Sequence, residues 1–192
     1  MAPSPATGAF SEWLEEQREA VADRWLVEIR ARTAGIEGEL LHLLADFIDL
    51  FTLALAPGVG VFRGEVERVL KQAAVLYGNL GAHRGLAAGE PVEEMQLLGG
   101  VLLRFLYDQG ADNGVRKVGL RDLLQLNRLA DLVVTYASIG HTDTLFFNQL
   151  HAAGVAEGLT PDILAEVREQ VEGIHDELSL LIGAGHPDGW AP

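Results

Sequence analysis

An all-α fold, globin-like or an up-down bundle of six to seven helices, follows from three features of the sequence. Apolar residues recur at helical spacing along most of the chain. No stretch alternates apolar and polar residues for long enough to form a strand. Hydrophobic residues make up 48% of the chain but aromatics only 7%, so the apolar mass is Leu, Ala and Val, residues suited to helix bundles. A chain of 192 residues is sufficient for one well-buried domain with trailing helices.

The elements follow in order. Residues 1–10 are expected as a flexible lead. Ser11 then caps a helix over 11–32, with Glu12, Glu15 and Glu16 in the first turns, where the helix dipole favours carboxylates. Its inward stripe is Trp13/Leu14, Ala20/Val21, Trp25 and Ile29. A second helix, 39–56, is rich in Leu and carries Phe47, Ile48 and Phe51; Pro57-Gly58 is expected to stop it. A third, 62–80, aligns Val66, Val69, Leu70, Ala73, Leu76 and Tyr77. The fourth opens near Pro91, carries Met95, Leu98, Leu102, Phe105 and Leu106 inward, and ends at the Gly110–Gly114 loop. From 118 to 156 runs a long helix with a polar stripe of Gln125, Arg128, Asp131, Thr135, Ser138 and Thr142 and a bend at Gly140. A last helix starts at Pro161 and reaches Leu181, leaving 183–192 as a loose tail. Residues 11–182 thus read as one helical domain, with 116–182 trailing.

Charge and composition narrow the function. The 28 acidic and 14 basic residues give a formal net charge of −14, which repels phosphate backbones and argues against a nucleic-acid partner. The absence of cysteine excludes disulfides, thiolate metal sites and thiol nucleophiles. Residues 1–17 hold no Lys or Arg, unlike a secretory leader, so a cytoplasmic location is expected. The apolar stretch 132–156 has one charge, Asp143, but many Thr, His and Asn interruptions, so it reads as a buried helix with no membrane partner.

Catalytic signatures are missing: the sequence has no phosphate-binding loop, no Gly-x-Ser-x-Gly elbow and no His-Glu-x-x-His. A non-enzymatic role is therefore expected. The alternative lies in two Glu-x-x-His pairs, Glu39/His42 and Glu172/His175, each placing a carboxylate and an imidazole on one helix face. With Glu15, Glu16 or Glu19 and Glu93 or Glu94 they could complete a ferritin-like di-iron site and make the protein an oxidase. Glu39, Glu93 and Glu94 fall in first turns, where the dipole already explains an acid. His83, His141 and His151 are the histidines a haem would use. Trp25, His83, Arg84, Phe105 and Tyr107 are the candidate contacts for a small apolar ligand.

The segment from Ala74 through Tyr77, Arg84, Gly89, Glu93 and Glu94 to the Leu103-Arg104 pair resembles the N-terminal sensory domain of RsbR-type stressosome co-antagonists, found also ahead of bacterial histidine kinases. The opening helix with Trp25 is similar too, and the resemblance spans about residues 10–110, with Gly99-Gly100 departing from the bulkier residues of the family. It implies a sensory domain, usually without haem, that forms a homodimer, binds a small ligand or partner and passes its state to a signalling output, in a stress response, by helix shifts.

Overall fold

Local helix propensity and apolar stripes produce seven helices in the computed structural model, which describes residues 5–33, 35–60, 62–112, 119–150 and 158–184. They are α1 (Pro5–Glu16), α2 (Arg18–Arg32), α3 (Gly38–Val59), α4 (Arg63–His83), α5 (Gly89–Asp112), α6 (Leu120–Leu150) and α7 (Pro161–Ala184). The expected all-α bundle is what forms, and no described residue lies in a strand.

Three boundaries differ from the sequence reading, each for a local reason. Helix begins at Pro5, upstream of the expected start at Ser11: the Phe10 ring stacks on Trp13 with centroids 5.8 Å apart, and that burial favours helix there. Ser11 does not cap; its hydroxyl donates to the Ala56 carbonyl on α3 at 2.8 Å. At Gln17 the helix is interrupted, although backbone bonds run through it, from Gln17 N–H to the Trp13 carbonyl and from Val21 N–H to the Gln17 carbonyl. Pro57 does not end α3, because it sits in the last turn, where its missing N–H removes a single bond; the helix closes at Val59, with Gly60 N–H donating to the Pro57 carbonyl at 3.1 Å.

The core is laid on α3, whose Leu43, Leu44, Phe47, Leu50, Phe51 and Ala54 are all buried. Among the described residues α3 is the one helix long and apolar enough to cross a membrane. Here α1, α2, α4 and α7 pack against it. Phe47 and Phe51 meet the Tyr77 ring edge-on, at 5.2 and 6.1 Å, and Trp25 lies 6.0 Å from Phe51, which joins α2, α3 and α4 through one aromatic cluster. On the α7 side, Arg68 pairs with Glu177, and His175 lies 3.3 Å from Asp49.

The closest packing is between α4 and α6, which run in the same direction because α5 carries the chain back between them. A Cβ added at Gly78 would lie 2.0 Å from the Ala137 carbonyl oxygen, and one at Gly140 would lie 2.1 Å from that of Val75. Backbone therefore touches backbone, and Gly140, expected as a bend, is a contact point inside a continuous helix. Asn79, with its amide nitrogen turned to the acceptors, donates to the Gly140 carbonyl at 2.7 Å and to Val75 at 3.1 Å. The polar stripe read along α6 is its solvent edge: Arg128, Asp131, Thr135 and Thr142 are exposed.

Because the opposing atoms at Gly78 are backbone, they cannot rotate away, and Gly78→Ala should lower the free energy of urea unfolding by about 3 kcal/mol, the upper end for overpacking. Gly173→Ala, in the open face of α7, should instead raise it by about 0.5–1 kcal/mol.

Candidate functional site

The inward stripe of α5 is apolar at Met95, Leu98 and Leu102 but carries an acid at Glu94, one turn before Leu98. Helical geometry forces that carboxylate into the interior with its neighbours, and the interior answers it. Both oxygens accept from the Arg84 guanidinium in a two-pronged pair, each at 2.8 Å. The Tyr77 hydroxyl donates to Oε2 at 2.6 Å and the Thr33 hydroxyl to Oε1 at 3.2 Å. The Glu94 carbonyl accepts from the Trp25 indole N–H at 2.8 Å. The ionic side chains are each only 4% exposed.

The local sequence explains how these groups meet. Tyr77 and Arg84 are seven residues apart on α4, two turns on one face. Gly85, at φ +74°, turns the chain after Arg84, and Ala87 and Glu90 close the entry to α5, with the Glu90 carboxylate accepting from Ala87 N–H at 2.6 Å. Trp25 and Thr33 arrive on α2 and its C-cap. One carboxylate thereby ties α2, α4 and α5 together.

Electrostatics follow the geometry. Burial is the largest single influence and works against the Arg84 charge, but the hydrogen bonds and charge of Glu94, together with Tyr77, outweigh it and leave the guanidinium more firmly protonated than an exposed arginine. Tyr77 is pushed well above the ordinary phenol value of 10.0, first by burial and then by the neighbouring Glu94 charge.

Arg84 also forms part of the wall of a half-open cavity of about 700 Å³ between the C-terminal ends of α4 and α6. Its apolar wall includes Ile36, Leu40, Leu86 and Leu145, and its polar wall includes His83 and Asn148. The α4–α6 register that sets Val75 beside Gly140 and Asn79 beside Thr144 brings His83 and Asn148 to the same level. His141 is fully buried just behind, with Nε2 at 2.9 Å from the Leu86 carbonyl.

Of the five ligand contacts expected from the sequence, His83 and Arg84 line this cavity. Trp25 is wholly buried and committed to Glu94, Phe105 packs on the core, and Tyr107 is 81% exposed, so these three do not join it. Gly58, expected to help stop the second helix, lies inside α3, whereas Gly85 turns the chain after α4. The di-iron constellation does not assemble. Glu39, His42 and Glu172 are exposed, and His175 meets Asp49, about two turns beyond His42 along α3. Among the described residues no three His, Asp or Glu side chains converge as metal ligands. His141 has its Nε2 engaged by Leu86, and His151 lies outside the described residues. Sequence reasoning missed Glu94 as the centre; the signal was an acid at an inward position of the α5 stripe, four residues before Leu98. Asn148 and Leu145 had no local signal.

Comparison with protein-family models, with curated proteins and with solved structures finds no match to this chain.

Removing one partner of a buried pair leaves an uncompensated charge, so Arg84→Met should cost about 3–5 kcal/mol in urea unfolding, while Arg84→Met/Glu94→Leu should recover at least half of that loss. Since the Tyr77 phenol is harder to ionise folded than unfolded, its contribution to stability should be complete below about pH 10 and be lost as pH rises through the higher folded value. Chemical unfolding at a series of alkaline pH values should show that decline in the wild type and a smaller one in Tyr77→Phe.

Proposed function

We propose that this chain is a non-enzymatic cytoplasmic signalling sensor of bacteria, a homodimer that takes a small ligand in the α4–α6 cavity and relays occupancy to its partner through α5. The observation that carries this reading is the double placement of Arg84, which stands in the cavity wall and holds the buried Glu94 with its guanidinium. A ligand pressing on the end of α4 acts on an ion pair that is costly to leave half made, so the response is a switch between two arrangements and not a gradual deformation.

The relay element follows from what α5 carries. Glu94 lies in its opening turns. Further along are Gly99 and Gly100, then Leu103, which is 61% exposed, and Tyr107 one turn later. Glycine costs about 1 kcal/mol relative to alanine inside a helix. No described residue requires it here: among those residues a Cβ at Gly99 would meet no atom within 4 Å, and one at Gly100 only the tip of Arg104 at 3.7 Å. A smooth strip beside two exposed apolar side chains suits close approach of a second helix, much as Gly78 and Gly140 allow between α4 and α6. The resemblance of residues 10–110 to RsbR-type sensory domains supports the same reading, with the output supplied by a partner.

Light scattering at graded concentration provides the test, with the chain expected to be a dimer. Leu103→Glu should weaken association at least tenfold without lowering the melting temperature. Glu94→Gln, which keeps the side chain's shape but weakens the Arg84 pair, should shift the dimer dissociation constant at least fivefold although residue 94 is buried. A wild type that stays monomeric, or association indifferent to Glu94→Gln, would refute the relay.

A further inference from the structure

A buried polar atom without a hydrogen-bond partner costs about 1–3 kcal/mol, so such atoms are few and their positions carry information. Among the described residues three side-chain atoms are in this state: His83 Nδ1, Asn148 Nδ2 and His141 Nδ1. Two of the three line one cavity, and the residue bearing the third is bonded to its wall. His83 and Asn148 lie in the wall of the α4–α6 cavity, and His141 is bonded through its other nitrogen to Leu86, which lies in that wall as well. Polar groups distributed at random over seven helices have no reason to gather around one cavity, whereas a site that completes its hydrogen bonds with an occupant does.

The chemistry of the occupant can be read from the wall. The cation there, Arg84, has both terminal nitrogens engaged by Glu94. The other described side chains of the wall are apolar or polar, with no carboxylate and no lysine. An ionic ligand would give up water for no counter-ion, in a chain whose net charge is already −14. What the wall offers is an apolar lining from Ile36, Leu40, Leu86 and Leu145 and a polar end at Asn148 and His83. The final torsions of both polar side chains are soft, so a small rotation aims Nδ2 or Nδ1 at a guest.

The geometry points to a neutral amphiphile as the ligand: a molecule with an apolar chain of about eight carbons and one hydroxyl or carbonyl oxygen, the oxygen accepting from Asn148 Nδ2 and the chain lying along Leu40, Leu86 and Leu145. This rests on the sensor reading for its biological meaning, but the binding chemistry is measured independently of it.

The test uses the full-length, ¹⁵N-labelled protein near neutral pH, titrated separately with 1-octanol, 2-octanone, octanoate and octylammonium while the Asn148 side-chain amide and the backbone amides of residues 83–86 are followed by NMR. Octanol and octanone should give saturable shifts at these positions, with dissociation constants at least tenfold lower than those of octanoate and octylammonium. Asn148→Leu should weaken octanol binding about tenfold with the melting temperature unchanged within two degrees. If octanoate or octylammonium binds as tightly as octanol, the neutral class is wrong. If Asn148→Leu binds octanol like the wild type, or no probe saturates, the assignment of the orphaned groups to a ligand fails. The effect of Glu94→Gln on dimer dissociation is read without any ligand, so either result can fail while the other stands.

Discussion

The end of this bundle where α2, α4 and α5 meet depends on one carboxylate placed where an apolar side chain would be the default. Glu94 enters the interior because it occupies an inward position of α5, and once there it cannot be left unpaired, because an isolated buried charge is prohibitive. Satisfying it requires Arg84, Tyr77 and Thr33 together, drawn from α4 and from the C-terminal end of α2. A well-packed apolar group at this position would stabilise as much or more. What the ion pair adds is direction: its bonds fix how the start of α5 is rotated and how far the end of α4 extends, which greasy contacts leave loosely specified.

The second constraint is the backbone contact of α4 and α6. Gly78 and Gly140 allow the two helices to touch without intervening side chains, and Asn79 locks their relative slide by bonding the opposing carbonyl. With the helix middles held this way, their C-terminal ends are left to frame the cavity, and the level at which His83 faces Asn148 is set by the register at the glycines. The ion pair and the glycine contact therefore meet at the same end of the molecule, and Arg84 belongs to both the rigid network and the cavity wall.

Surface features distribute differently. The long polar stripe of α6 faces water, while α5 presents its glycine strip with Leu103 and Tyr107, and the distal half of α6 exposes Ile139, Phe146 and Leu150. The exposed Arg104–Glu28 pair ties α5 to α2 across the surface, with Arg24 of α2 bonded to the same carboxylate; such pairs are worth little on their own, and the tighter link lies beneath them.

The sequence by itself determined the helices and which faces turn inward, since amphipathic period is a local property of the chain: Val66, Val69, Leu70, Ala73, Leu76 and Tyr77 are buried as their spacing requires. It also marked Arg84 and His83 as residues of interest. Only the tertiary structure decided that Glu94 is the centre and that Asn148 and Leu145 stand opposite His83, because such meetings depend on helix rotation and slide, which period does not encode. The same reason dissolved the di-iron constellation. Two Glu-x-x-His pairs define two helix faces, but the packing of α3 on α7 sets His175 against Asp49 and leaves Glu39, His42 and Glu172 exposed.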